Sequence, residues 1–420
     1  MKICVIGLGY IGLPTASMFA DCGHEVVGVD KNPAVIDALN QGKIIIEENH
    51  LDQLVLRVVE SGALRGSALP EEADVFIVSV PTPITPDKKA DMTYVAAATE
   101  SIVPYVKKGD LVILESTSPV GTVDALMAPI LEKSGLKIGE ELFLGHSPER
   151  VIPGQILKEL VNNDRIAGGI NPASSRKITE LYKTFVKGNI FETDARTAEL
   201  CKLSENTFRD INIAFANELA KICENLGINA WEVIELCNKH PRVNIHQPGP
   251  GVGGHCIAVD PWFIVEKQPE TANIIRLCRQ TNDSMPDFVS RRISEILRGI
   301  PHPKVTILGV TYKPNVDDMR ESPVITLENI LEARGVKVAA YDPFVMGKSK
   351  ISNDLMEAAK DSDLLLLGVH HDCFKELDYA ALGKVMRSKN LFDTRNFADA
   401  KAAEKEGFTC YLLGKNCEAQ

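Results

Sequence analysis

Gly7-Leu8-Gly9-Tyr10-Ile11-Gly12 stands between an apolar run, Ile3–Ile6, and a segment from Pro14 to Cys22 that can continue as a helix. A second apolar run, Glu25–Val29, ends in Asp30, 18 residues past Gly12. A G-x-G-x-x-G turn between strand and helix, with an acid closing the next strand, leaves few architectures open. It is the opening βαβ unit of a parallel, dinucleotide-binding sheet. The glycines let the backbone turn and approach a pyrophosphate, which the helix N-terminus stabilises. Asp30 can accept hydrogen bonds from the adenosine ribose, which favours NAD over NADP because a 2′-phosphate would be repelled; Lys31 beside it reads as solvated. Gly7, Gly9, Tyr10, Ile11, Gly12 and Asp30 are therefore the expected cofactor residues.

Strand-like runs continue at Val75–Val80, Leu111–Leu114, Leu142–Gly145 and Arg165–Gly169, with helical stretches such as Tyr94–Val103 between them. From Thr197 to Leu226 there is neither proline nor glycine, and Leu200, Leu203, Phe208, Ile211, Phe215 and Leu219 recur at helical spacing, which predicts one long helix. Ala230–Cys237 and the region from Pro261 to Leu297 also read as helical. Lys304–Gly309 then repeats the opening strand and turn, and Gly335–Asp342 parallels Gly23–Asp30. This echo keeps Gly309 but loses the other turn glycines, so it need not hold a dinucleotide. At about 100–200 residues per domain, 420 residues suit three domains. The predicted fold class is α/β, with two Rossmann-like doubly wound domains, 1–193 and 301–420, joined by a central helical domain, 194–300, around a long spine helix.

Basic residues number 46 and acidic ones 57, a formal net charge of −11, and no Lys/Arg-rich run is present. A field of that sign disfavours nucleic acid or anionic membrane as partner, so an anionic ligand needs a local basic cluster. The ten cysteines include no C-x-x-C pair, which excludes zinc-ribbon and thioredoxin-type motifs, and no metal is expected. The first apolar stretch is too short for a signal peptide and the longest, near Leu364–Val369, too short to cross a bilayer, so the expected location is the cytoplasm.

Two further strand ends, Val80-Pro81-Thr82-Pro83 and Glu115-Ser116-Thr117-Ser118-Pro119-Val120-Gly121-Thr122, should border the cofactor crevice, bringing in Thr82 and Thr117, although plain turn chemistry would also account for them. Gly249 to Asp260 is the most unusual segment, with four glycines in the six residues 249–254. Such a backbone can close around a ligand, and Cys256 stands at its end, one helical turn before Asp260. A thiol there is a candidate nucleophile. The other nine cysteines lie in apolar or helical contexts and read as small core residues. Lys202, Asn206 and Arg209 are spaced i, i+4, i+7 on the long helix, which suits either a functional face or a solvated stripe. Glu149 and Arg150, in His146-Ser147-Pro148-Glu149-Arg150-Val151-Ile152-Pro153-Gly154, are equally ambiguous alone.

Taken together, Gly7–Gly12, Val80–Pro83, Glu115–Thr122, Pro148–Gly154, Lys202–Arg209 and Gly251–Asp260 resemble, in order and over nearly the whole chain, the UDP-glucose/GDP-mannose dehydrogenase family. Arg150 and Pro153-Gly154 depart from the aromatic residue and later acid of the glucose and mannose members. With His240-Pro241-Arg242-Val243-Asn244-Ile245 and the stretch from Gly253 to Phe263, that departure points to a UDP-N-acetylhexosamine substrate.

The resemblance implies two oxidations at one carbon, turning the C6 alcohol of UDP-N-acetyl-D-mannosamine into a carboxylate with NAD, for a cell-surface polysaccharide. The gluco isomer is the alternative substrate. By resemblance, Cys256 forms a thiohemiacetal and then a thioester. Lys202 balances the oxyanion, Asn206 adds a hydrogen bond, Asp260 activates water, and Glu149 and Thr117 assist proton steps. Arg150, Val151, Arg209, His240, Arg242 and Gly253 become substrate residues. Tyr312 and Lys313 would hold the UDP, and Arg320 would approach the cofactor. A homodimer or higher homo-oligomer through the central helices is implied. The rivals are a two-electron hydroxyacid or 6-phosphogluconate-type dehydrogenase, which has no use for Cys256, and a non-catalytic NAD-binding protein.

Overall fold

The computed structural model describes the whole chain except Glu47, Pro153, His255, Ser349 and residues 417–420. Pro153 and His255 of the motifs above, and Cys417, thus lie outside the described residues. The chain forms two compact units, Met1–Glu205 with Trp262–Pro269 and Asn206–Pro261 with Glu270–Gln420.

In the first unit, apolar runs buried on both faces make the centre of an eight-stranded sheet, as a sheet covered by helices requires. Its strands are β1 (Lys2–Ile6), β2 (Glu25–Val29), β3 (Leu64–Ser67), β4 (Val75–Val78), β5 (Leu111–Leu114), β6 (Phe143–His146), β7 (Arg165–Gly169) and β8 (Ile190–Asp194). Their order is β3-β2-β1-β4-β5-β6-β7-β8. Ile3 is in register with Val26 on one side and Val75 on the other, and the direction of succession reverses between β1 and β4. That reversal opens a crevice at the carboxyl ends of the strands. One pairing departs from the expected parallel pattern: β6 and β7 run antiparallel. Glycines permit it, since a Cβ on Gly145 would lie 2.3 Å from the Gly168 carbonyl oxygen.

The second unit holds six parallel strands in the order β11-β10-β9-β12-β13-β14, namely β9 (Lys304–Leu308), β10 (Lys337–Tyr341), β11 (Ile351–Ser352), β12 (Leu364–Leu367), β13 (Asn390–Asp393) and β14 (Thr409–Leu412). The predicted second Rossmann-like sheet is therefore present. The predicted spine is a single helix, Ala195–Leu226, of 32 residues. Helix Met285–Ile296 puts Met285, Val289 and Ile293 into one core with Val305, Ile307, Leu327 and Leu331 of the second sheet and its helix Pro323–Ala333. Helix Asn273–Asp283 is tied to the spine by a buried pair, Arg279 with Asp210, which Asn282 also bonds. No helix among the described residues is long and apolar enough to cross a membrane.

Candidate active site

The glycine turn of the first unit is dictated by space. Gly7 has φ +95°, and a Cβ there would lie 2.2 Å from the Ser79 carbonyl oxygen; one on Gly12 would lie 1.8 Å from the Gly7 oxygen. Above Gly9 nothing lies within 4 Å, so the peptide face is open where a pyrophosphate has to approach the first helix, Gly12–Asp21. Asp30 directly follows β2 and is half-buried. Its Oδ2 accepts the Leu8 N–H at 3.0 Å and its Oδ1 the Asn32 N–H at 2.9 Å, so it braces the turn while one edge remains accessible. Tyr10 and Ile11 are half-buried at the start of that helix. These features fit a dinucleotide and supply what NAD needs on the protein side.

Thr82 and Thr117 sit half-buried in the loops after β4 and β5. Ser116 staples those loops together: its Oγ donates to the Val80 carbonyl at 2.7 Å and accepts the Val80 N–H at 2.9 Å. The loop carrying Thr117 is fastened to the spine helix by Glu199, whose carboxylate accepts the N–H groups of Gly121 and Val123. Burial pushes the Glu199 carboxyl up to about 7 against the pull of those two donors. Lys202 follows three residues later and is also buried.

Glu149 and Arg150, ambiguous in the sequence, have distinct surroundings. Glu149 pairs with buried Arg165 from β7 and accepts the Arg150 N–H at 2.8 Å. Arg165 also reaches Glu115 at 2.7 Å and lies with its guanidinium carbon 3.6 Å from the centre of the Tyr182 ring, whose hydroxyl donates to Glu115 at 2.6 Å. Arg150 bonds Glu205 at 2.8 Å and the Asp164 carbonyl, beside half-buried Val151. His146 is fully buried at the end of β6, and burial drives its imidazole down to about 3, so it stays neutral. Arg165 escaped the sequence reading; its one signal is a lone arginine opening an apolar strand.

In the second unit Cys256 is exposed and begins a turn in which the Asp260 N–H donates to its carbonyl at 2.8 Å. Asp260 is buried at the start of helix Asp260–Lys267, and its carboxylate accepts Asn206 Nδ2 from the spine helix at 2.6 Å. The glycine loop before Cys256 lies on the second sheet's own loops. A Cβ on Gly253 would be 2.3 Å from the Glu321 carbonyl oxygen, and one on Gly254, where φ is +89°, 2.9 Å from the Tyr312 ring. The glycines ahead of Cys256 are thus packed against Tyr312 and against the turn that carries Arg320. Arg320 is exposed and paired with Asp318 at 2.7 Å, while Lys313 is half-buried next to Tyr312.

Arg209, His240 and Arg242 are exposed. Lys202 and Asn206, one turn apart on the spine helix, are buried, whereas Arg209 one turn further on is exposed. The expectation for the cysteines also needs correction. Of the eight described ones besides Cys256, only Cys4 and Cys223 are buried, whereas Cys22, Cys237 and Cys373 are exposed and Cys201, Cys278 and Cys410 intermediate. Helical context predicted burial for them, but Cys237 ends its helix and Cys373 sits in the short turn Asp372–Phe374, both facing solvent. Arg395, after β13, is a further residue the sequence reading missed. Its Nε donates to the Gly368 carbonyl at 3.2 Å and its Nη1 occupies the space a Cβ on Gly249 would need. Burial lowers its guanidinium to about 10, which marks a poorly solvated cation beside the glycine loop.

A dinucleotide turn, a second Rossmann-like sheet and a thiol beside a buried carboxylate define an NAD-dependent nucleotide-sugar dehydrogenase. The chain belongs to the UDP-glucose/GDP-mannose dehydrogenase family: residues 1–186 match its NAD binding domain, 196–284 its central domain and 306–400 its UDP binding domain. It is similar to the UDP-N-acetyl-D-mannosamine dehydrogenase of Methanocaldococcus jannaschii, 48% identical over 98% of this chain and 96% of that one. It is also similar to the NDP-N-acetyl-D-galactosaminuronic acid dehydrogenase of Ralstonia solanacearum, 47% identical over 95% and 96%. Among solved structures, the UDP-N-acetyl-mannosamine dehydrogenase from S. aureus superposes with a TM-score of 0.91 at 47% identity, covering 99% of each chain.

Proposed function

We propose that the enzyme oxidises C6 of UDP-N-acetyl-D-mannosamine from alcohol to carboxylate through a covalent adduct on Cys256. The observation that carries this reading is the exposed thiol one turn before buried Asp260, itself held by Asn206. NAD⁺, when bound, takes up a hydride in each of the two oxidations, which a thiol alone cannot do. After the first, the Cys256 sulfur adds to the aldehyde carbon, and the carbonyl oxygen becomes the hydroxyl of a thiohemiacetal. Loss of that hydroxyl's proton accompanies the second oxidation and leaves a thioester. Water then adds, the C–S bond breaks, and the acid and the thiol are released. Asn206 and the buried Lys202, one turn apart on the helix, stabilise the oxygen as it carries negative charge. Asp260 orients the water, and Glu149 and Thr117 serve the proton steps. Tyr312, Lys313, Arg150, Val151 and Gly253 hold the sugar nucleotide. Arg209, His240 and Arg242, exposed in one copy, are assigned to substrate binding in the assembled oligomer.

The mannosamine relatives support the substrate. The galactosaminuronic relative, at almost the same identity, favours a second reading in which another UDP-N-acetylhexosamine is oxidised by the same chemistry. The proposed setting is the cytoplasm, in service of a surface polysaccharide. A second copy pairs through the spine helix, where Phe208, Phe215 and Ile222 are exposed at heptad spacing.

The test is stoichiometric. NAD⁺ is offered with UDP-N-acetylmannosamine, UDP-N-acetylglucosamine, UDP-N-acetylgalactosamine and UDP-glucose separately, and NADH is counted per sugar consumed. Two per UDP-N-acetylmannosamine is the expected result; one, or none with any sugar, sinks the reading. Cys256→Ala abolishes steady uronate production, and unchanged turnover in that variant would remove the thioester step.

A further inference from the structure

The loop Thr311–Asn315, which carries Tyr312 and Lys313, is held from beneath by a buried imidazole that takes no part in the chemistry above. His371 lies just beyond β12 and is fully buried, as are Thr311 and Asp342. Its Nδ1 accepts the backbone N–H of Asn315 at 2.8 Å. A nitrogen that accepts carries no proton, so the network assigns the hydrogen to Nε2, which faces Asp342 Oδ2 at 3.0 Å. The same carboxylate oxygen accepts the Val310 N–H at 2.8 Å and the Thr311 N–H at 3.3 Å. The ring and its carboxylate therefore grip both ends of one five-residue turn. Inside the turn, Thr311 Oγ1 donates to the Lys313 carbonyl at 2.9 Å. At its far end Asn315 adopts φ +59°, a left-handed conformation, and exchanges two hydrogen bonds with Asp372.

The ring has no freedom to do otherwise. Phe344 stacks on it at 4.7 Å between centroids, and Phe374 meets it edge-on at 5.5 Å. Gly309, with φ +82°, makes room for it: a Cβ there would lie 2.6 Å from Val369 and 3.1 Å from His371 Cδ2. His371 Nδ1 and Asp342 Oδ2 serve the backbone of the turn, while Asp342 Oδ1 accepts the Phe344 N–H at 3.0 Å and so fixes the carboxylate itself. We propose that His371, with Asp342 behind it, is a positioning residue that presets the Tyr312–Lys313 loop for the nucleotide diphosphate of the substrate. The inference rests on the reading that this loop binds UDP, and it deepens that reading by naming what holds the loop in shape.

Two substitutions separate the two halves of the clamp. His371→Asn places an amide oxygen where Nδ1 lies and can still accept from Asn315. His371→Gln places its amide near Nε2, where it can still donate to Asp342 but leaves the Asn315 N–H buried without an acceptor. Titration calorimetry with UDP alone needs no turnover and reads the loop directly. The expected result is a UDP Kd raised at least about tenfold in His371→Gln and held within about threefold of the parent in His371→Asn, with the Kd for NAD⁺ unchanged in both. In the steady state the same split appears as a raised KM for the UDP-sugar with kcat preserved. If UDP binds both variants as it binds the parent, or if UDP and NAD⁺ weaken together along with the melting temperature, His371 is a fold residue only and the inference is overturned. Failure of the functional reading is separate: the parent would bind UDP yet oxidise no UDP-hexosamine. A parent chain that binds no UDP overturns both.

Discussion

Arg165 is a residue whose removal the structure makes costly. It is buried between two buried carboxylates, Glu115 and Glu149, and covered by Tyr182. Breaking a buried pair strands the remaining charges, so Arg165→Met should lose about 3–5 kcal/mol in urea unfolding. A loss under about 1 kcal/mol, the value for an exposed pair, would show that the carboxylates are not ionised against it. Glu199 carries a pH dependence of definite sign. Its carboxyl is raised from 4.5 to about 7 by burial, so between those values the unfolded chain has released the proton while the folded chain retains it. Stability therefore declines as pH rises through that window. Glu199→Gln should flatten the melting temperature against pH there; a slope parallel to the parent's would put the titrating group elsewhere. Cys256 was legible in the sequence, because four glycines beside a cysteine are an unusual local pattern. Arg165, Arg395 and His371 were not, because a single polar residue near an apolar strand says nothing of what it meets.

The central strands were readable because a parallel sheet covered on both faces demands apolar runs, which Val75–Val78 and Leu111–Leu114 supply. The reading omitted β3, β8, β11 and β14, the edge strands of the two sheets. An edge is half-solvated, so Leu64-Arg65-Gly66-Ser67 need not look like a strand. The antiparallel β6–β7 pairing was equally hidden, since strand direction is a property of the connection rather than of the run. The glycine turn is the element most sensitive to a single methyl group. Gly12→Ala sets a Cβ against the Gly7 carbonyl and should weaken NAD⁺ binding at least about tenfold by calorimetry. Unchanged affinity would mean that the turn shifts without consequence, and would remove it from the cofactor site.

For the molecule as a whole, the net charge of −11 proved a poor guide to its ligands. Both are anions, and the cations assigned to the sugar nucleotide, Arg150 and Lys313 among them, are placed locally. Phe208, Phe215 and Ile222 are exposed on the spine helix, and Ile274 and Leu277 on helix Asn273–Asp283. If the proposed pairing through the spine helix holds, replacing Phe208 and Phe215 with glutamate should give a monomer in sedimentation velocity and take activity with it; a parent chain that sediments as an active monomer would refute the pairing.

Two Rossmann-like sheets, a spine helix, a dinucleotide turn and a candidate thiol could all be read from residue order, because each depends on neighbours within a turn or a strand. The partnerships that make the site work could not. Arg165 meets Glu115 from 50 residues away, Asp260 meets Asn206 from 54, and His371 meets Asn315 from 56. Such pairs exist only once the sheets have formed and water has left, for it is the low dielectric of the interior that forces each buried polar group to find its partner.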